Sequence, residues 1–395
     1  MAFIAMMRTG QKSYHNWACS LTIVAGITIS KQAIFKKMNE LWLKLVKMLL
    51  QKVMSKQSMK NVKLPLFSHF NHVWLQDSTS INLPAVMVAK FKGNISRGKQ
   101  KAVAKINVIM DVLTGACPVM DLMALSVNEQ GLSESILSIA KKGDLVIRDL
   151  GYFVLPAFKK MIEADIELIS RLKYNVNLYD VKSGEKLEFA QLIKGKKFID
   201  IKAKCGAKEQ VEMRLVAIKI PPEQAAERRR KAKKDRDKRL NHSEEYYALL
   251  DYVIFITTVD KEIWNYKQVA EAYGVRWNIE ILFKSWKSGF KIEDMIPEDK
   301  EHAIRVESYI YMMLLYIAWF QLIVFIPLRA GIKKKSDKVL SIIKTVNYVM
   351  AHFNDWLFEA ISIKDLRRLD YLCCYDNRRR SNAVADLDMF YKQLS

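Results

Sequence analysis

The sequence predicts an α/β protein: a mixed sheet flanked by helices, interrupted by a β-rich insertion, with helical regions at both ends. Three observations predict it. Between residues 67 and 173, apolar runs and turn signals follow the order β, β, β, α, β, α, β. Residues 174–250 break that order with short strand-like pieces and a very basic helical run. Residues 1–66 and 331–395 carry helical periodicity instead. The chain has 395 residues, half of them hydrophobic, so it can bury a substantial core and is not globally disordered.

The elements follow in order. An apolar segment around Leu21–Ala25 leads to Gly26, after which Thr28 or Ser30 can cap a second helix. In that helix Ile34, Met38, Leu41, Leu45 and Met48 recur at spacings of three and four, with Lys36, Lys37, Lys44, Lys47 and Lys52 opposite. The pair reads as a helix–turn–helix-like DNA-binding region or as an ordinary amphipathic pair. His72–Thr79 reads as a strand ending in Asp77-Ser78-Thr79, and Lys101–Val112 and Cys117–Val127 as a hairpin about Thr114-Gly115. A helix over Leu132–Lys142, a strand over Asp144–Leu150, a helix over Pro156–Ala164 and a strand over Ile166–Lys173 complete the first part of a core, residues 67–173. The insertion turns at Ser183-Gly184 and Cys205-Gly206, and Pro221-Pro222 opens the basic run Arg228–Arg239. A strand over Val253–Val259 returns to the sheet and begins the second part of the core, residues 251–330. Lys335–Ile361 continues as helix, and the tail from about 364, basic at Arg378–Arg380, is expected to be loosely held.

Charge narrows the partner class. Lysine and arginine number 64 against 42 acids, a net charge of +22. Polyanions follow, nucleic acid first and an anionic membrane second. Cys19, Cys117, Cys205, Cys373 and Cys374 form no CxxC pair and no zinc spacing, which fits free thiols in a reducing cytoplasm. The histidines make no HExxH. Any bound metal must therefore be held by carboxylates, which favours Mg²⁺ or Mn²⁺. Nothing near the N-terminus reads as a signal peptide. Tyr309–Leu328 is long and apolar enough to span a membrane, interrupted by Gln321, and is expected to be a buried core helix.

The candidate chemistry lies in three places. Asp77 and Asp149 stand at the ends of apolar strands, after Val-Trp-Leu-Gln and Leu-Val-Ile-Arg. The stretch from Tyr273 to Lys287, set on one α-helix at about 100° per residue, puts Tyr273, Arg276, Glu280 and Lys287 within an arc of roughly 60°. Val275, Ile279, Leu282 and Trp286 fall on the opposite, packing side. Two aspartates and a glutamate can hold two divalent cations roughly 4 Å apart for an in-line displacement at phosphorus. Arg276 and Lys287 offset the acids and offer contacts to phosphates, and Tyr273 can hydrogen-bond phosphate or stack.

The pattern Tyr-x(2)-Arg-x(3)-Glu-x(6)-Lys at Tyr273, Arg276, Glu280 and Lys287 resembles the signature of a large family of bacterial insertion-sequence transposases with a DDE active site, often called family four. Asp77-Ser78-Thr79 and Asp149-x-Gly151-Tyr152 resemble that family's first and second acids, and the likeness covers about residues 69–330. It implies an RNase H-like core with a five-stranded mixed sheet and a β-rich insertion between the second aspartate and the glutamate. It also implies cut-and-paste DNA transposition: metal-activated water frees a 3′-hydroxyl at the element end, and that hydroxyl attacks target DNA. On this resemblance Asp77, Asp149 and Glu280 bind two Mg²⁺ or Mn²⁺ ions. Tyr273, Arg276 and Lys287 position the DNA strand. From their places in the chain, Lys284 reads as a further contact on the same face or as a solvated lysine, and Arg171 and Lys173, on the strand after the second acid, can reach backbone phosphate. The implied partners are double-stranded DNA, as terminal repeats and as target, and a second copy in a synaptic homodimer. The implied setting is the prokaryotic cytoplasm at the nucleoid, with no membrane. A nuclease without strand transfer, or an inactive DNA-binding remnant, would share parts of this pattern.

Overall fold

A computed structural model describes residues 13–57, 64–234, 243–335, 340–352 and 372–374. The basic run beyond Lys234 up to residue 242, and most of the C-terminal tail including Arg378–Arg380, lie outside the described residues.

Three helices open the described chain: α1 (Tyr14–Ala25), α2 (Lys31–Lys37) and α3 (Glu40–Ser55). Ser30 caps α2, its hydroxyl accepting from the Ala33 amide at 3.2 Å. The expected single second helix is two helices. The first ends at Lys37, and Asn39 caps α3, its Oδ1 accepting from the Leu41 and Trp42 amides at 3.1 and 3.2 Å. The break resets the buried face. Leu43, Val46, Leu50 and Met54 point inward, whereas Leu41, Leu45 and Met48, expected inside, are 76, 46 and 57 % exposed.

The strands β1 (Val73–Leu83), β2 (Lys92–Ser96), β3 (Lys99–Asp111) and β4 (Val119–Ala124) follow. β1 runs four residues past its expected end at Thr79, and Thr79 and Ile81 are buried between exposed Ser80 and Asn82 with the two-residue period of a strand. The hairpin at Thr114-Gly115 is present, with the Gly115 amide bonded to the Asp111 carbonyl at 2.8 Å. The helix expected over Leu132–Lys142 is replaced by two short 3₁₀ turns, Glu129–Leu132 and Ser135–Ser138. Serine hydroxyls account for this: Ser133, Ser135 and Ser138 each donate to a backbone carbonyl and so compete with helical bonding. β5 (Leu145–Arg148), α4 (Leu155–Glu163) and β6 (Glu167–Arg171) complete this part.

Residues 174–250, expected to be an insertion, hold β7 (Leu178–Asp180), α5 (Phe189–Ile193), β8 (Phe198–Cys205), β9 (Val211–Lys219), α6 (Pro222–Lys233) and α7 (Glu244–Leu249), and β10 (Tyr252–Thr257) follows them. β10 pairs antiparallel with both β6 and β9, so β7–β9 extend the sheet.

The helix expected to run unbroken from Tyr273 to Lys287 is interrupted. α8 (Tyr266–Gly274) ends, Val275–Arg276 form a turn closed by the Arg276 amide on the Tyr273 carbonyl at 3.0 Å, and α9 (Trp277–Lys284) begins. Gly274, a poor helix former, sits at the break. Lys287 lies in a π-helical turn, Ser285–Gly289. The single polar arc is therefore not formed as one helix face. The packing side holds: Val275, Ile279, Leu282 and Trp286 are all buried.

The remaining helices are α10 (Ala303–Phe320), α11 (Ile326–Lys335), joined to α10 by a π turn, and α12 (Ile342–Ala351). The apolar span Ala303–Gly331 is a core helix as expected, 72 % of its most apolar window buried inside the protein. α10 also buries Glu307, whose carboxylate takes Lys47 of α3 at 2.9 Å and Lys90 at 2.6 Å.

The chain divides into two compact units, one of residues 1–62, 76–128 and 278–376, the other of 63–75, 129–277 and 377–395. In the first, α3 packs along α10, and the strand order is β2-β3-β1, with β4 also on β3. In the second, the start of β1 pairs parallel with β5 in the register Val73↔Leu145, Trp74↔Val146, Leu75↔Ile147. β5 pairs parallel with β6, and the order continues β6-β10-β9-β8-β7. Val73–Leu75 and Leu145–Ile147 are buried throughout, as central parallel strands require.

Candidate active site

β1 and β5 pair in parallel over three residues of each strand. The last recorded pair is Leu75↔Ile147. Two residues further along each chain stand Asp77, still within β1, and Asp149, just past the end of β5. The structure thus moves Asp77 from a strand end to mid-strand. Its carboxylate is half-buried, and its Oδ1 accepts from the Ser78 amide at 2.8 Å.

The second unit brings Asp149, Tyr273 and Arg276 together. The Tyr273 hydroxyl donates to Asp149 Oδ1 at 3.4 Å, and Arg276 Nε lies 3.9 Å from the same oxygen. The Tyr273 ring is buried and packs at 5.2 Å on Phe255 of β10. Burial, then the neighbouring Asp149 charge, push the phenol well above its ordinary pKa, outweighing Arg276 and Arg171, so the hydroxyl is held as a proton donor. The Arg276 guanidinium lies 5.3 Å from the ring centre of exposed Trp277.

In the first unit Glu280 stands in the first turn of α9, half-buried, while Lys284 and Lys287 are exposed. The three expected metal ligands are all carboxylates, hard oxygen donors that suit Mg²⁺ or Mn²⁺. Among the described residues, no three His, Cys, Asp or Glu side chains are gathered closely enough to hold an ion together.

Arg171, at the end of β6, lines a cavity of about 740 Å³ in the second unit together with Leu150, Lys186, Arg228, Lys231, Tyr174 and Tyr246. Burial and the charge of Arg171 lower the pKa of Arg228, whose Nη1 donates to the Tyr252 carbonyl at 3.2 Å. The cavity carries four cations, Arg171, Lys186, Arg228 and Lys231, against two carboxylates, Glu188 and Glu245. Lys173 is exposed and does not line it. Sequence reading singled out Arg228 only as part of a basic run. It missed Tyr174 and Tyr246, which meet edge to face at 4.7 Å, because aromatic residues 72 positions apart carry no local signal.

Residues 72–317 match the family described as "Transposase DDE domain". The transposase for insertion sequence element IS231F of Bacillus thuringiensis subsp. israelensis is 30 % identical over 360 residues, covering 85 % of this chain and 74 % of that protein. The transposase for insertion sequence element IS1151 of Clostridium perfringens is 26 % identical, covering 84 % and 74 %. A piggyBac transposase synaptic complex with hairpin DNA matches at 10 % identity and TM-score 0.41 over 78 % of this chain and 59 % of that one, a likeness too slight to carry an inference. The chain belongs to the transposase DDE domain family. It is an insertion-sequence transposase, an enzyme of DNA cleavage and strand transfer.

Proposed function

We propose that this transposase works by cut-and-paste transposition from an RNase H-like core, with Asp77, Asp149 and Glu280 holding two Mg²⁺ or Mn²⁺ ions. One observation carries the reading: Asp149 follows the last residue of β5, and its Oδ1 lies within reach of both the Tyr273 hydroxyl and the Arg276 guanidinium. The strand order β4-β3-β1-β5-β6, with its parallel β1–β5–β6 centre, supports the RNase H-like assignment. When bound, the metal pair would activate an attacking oxygen and stabilise a leaving one.

The chain's own groups have separate tasks. Tyr273 donates to Asp149 and fixes the orientation of its carboxylate, while Arg276 lies beside the same oxygen and offers charge to a flanking phosphate. Lys284 and Lys287, exposed beyond Glu280, and Arg171 and Lys173, at the end of β6, serve as DNA-backbone contacts. Residues 1–66 form a DNA-binding region, supported by the exposed Lys36, Lys37, Lys44 and Lys52. The other regions of this reading are a core in two parts, 67–173 and 251–330, an insertion at 174–250 and a C-terminal region at 331–395. The protein acts as a homodimer pairing two element ends, at the prokaryotic nucleoid.

The test uses a duplex carrying an element end, then a pre-cleaved end with a target plasmid. Asp77→Asn, Asp149→Asn and Glu280→Gln each abolish Mg²⁺-dependent cleavage and leave DNA binding intact. Full cleavage by any one removes that residue from the site. Cleavage without joined product makes the protein a nuclease, and neither activity makes it a binding remnant.

A further inference from the structure

We propose that Arg148 and Ser133 are positioning residues for Asp149: together they brace the turn that carries its carboxylate. The proposal rests on the reading of Asp149 as a metal ligand.

Arg148 closes β5, opposite Ser170 of β6, and is 0 % exposed despite its charge. Its Nη2 donates to the Ser133 carbonyl at 2.5 Å. Ser133, also fully buried, donates its hydroxyl to the Tyr152 carbonyl at 2.9 Å. The Tyr152 amide in turn donates to the Asp149 carbonyl at 3.0 Å. The guanidinium lies 5.7 Å from the Tyr152 ring centre. The bonds run from Arg148 through Ser133 and Tyr152 back to Asp149, the residue next to Arg148 in the chain.

The segment that supplies Ser133 meets the same turn a second time. A Cβ built on Gly151 would meet a Glu129 carboxylate oxygen, so the Glu129 side chain lies directly against this turn. Glu129 and Ser133, four residues apart, thus both meet the Leu150–Tyr152 turn. A buried cation is a poor source of stability, because an unbranched apolar side chain of similar volume would fill the space without the desolvation cost. What an apolar chain cannot supply is a fixed donor to the Ser133 carbonyl. A ligating carboxylate depends on such support, and removing an outer partner of a metal ligand typically costs about 10–100-fold in affinity or activity.

The experiment takes the full chain with Arg148→Met, Ser133→Ala and Asp149→Asn, measuring melting temperature, element-end binding without metal, amide exchange over residues 149–153, and cleavage across a Mg²⁺ titration. For Arg148→Met we expect wild-type DNA binding, faster exchange of the Tyr152 amide, a half-saturating Mg²⁺ concentration raised by about tenfold, and recovery of rate at high Mg²⁺. Ser133→Ala should do the same more weakly. A defect of packing alone would lower the rate equally at every Mg²⁺ concentration, and that result overturns the proposal, as does an unchanged titration. Should Arg148→Met fail to fold, Ser133→Ala decides by the same criteria. Active Asp149→Asn would reject the metal-ligand reading itself. An inactive Asp149→Asn beside a normal Arg148→Met rejects the brace alone.

Discussion

The hydroxyl of Tyr273 donates to Oδ1 of Asp149 at 3.4 Å, tying the last turn of α8 to the end of β5 within one compact unit. Residues 124 positions apart thereby share an oxygen with Arg276, 3.9 Å away. Tyr273→Phe keeps the ring on Phe255 and removes only the donor. Cleavage should fall about tenfold, while stability changes by about 1 kcal/mol. Because burial raises the phenol's pKa, the contact should persist unchanged from pH 6 to 9. Wild-type cleavage by Tyr273→Phe would remove the phenol from the site.

The helix α3 gives a stability contrast between neighbours. Leu43 is 5 % exposed and Leu41 is 76 % exposed. Leu43→Ala should cost about 2–5 kcal/mol in urea unfolding, and Leu41→Ala less than about 0.5 kcal/mol. The reverse order would restore the face expected from an unbroken helix.

Glu307 gives a pH-dependent prediction. Burial alone would raise its pKa, but Lys90 and Lys47 outweigh burial and hold it below the usual carboxylate range. A depressed folded pKa contributes stability above the unfolded value of about 4.3 and loses it as pH falls through the folded value. Glu307→Gln should therefore melt below wild type at pH 7, and the gap should close on acidification below about pH 4. A gap that is constant from pH 7 to 3 would contradict the ion-pair account.

The cavity beside Arg171 predicts a salt signature. Removing one phosphate contact lowers the slope of log binding constant against log salt by about 1. Arg171→Ala and Arg228→Ala should each do so while weakening DNA binding of every sequence alike. An unchanged slope would leave the cavity without a DNA role.

Much of this was legible in the sequence where the signal is local. The strand run that leads into Asp149, the Thr114-Gly115 hairpin and the packing side of Val275, Ile279, Leu282 and Trp286 all follow from short-range period, whereas β1 continues past Asp77 to Leu83. The breaks were harder. Asn39 and Gly274 interrupt patterns that periodicity alone continues, and the serines of 133–138 turn an apparent helix into 3₁₀ turns through bonds to carbonyls, one of them on Tyr152. The Arg148–Ser133–Tyr152 bonds and the Arg171–Arg228 cavity join segments that only the sheet order brings together, so no spacing announces them.

The most direct measurement of the central claim is a crystal structure with element-end DNA and Mn²⁺, read by anomalous scattering. Two manganese peaks bridged by the carboxylates of Asp77, Asp149 and Glu280 are the predicted result. Manganese bound elsewhere, with any one of those three carboxylates outside its coordination, would contradict it.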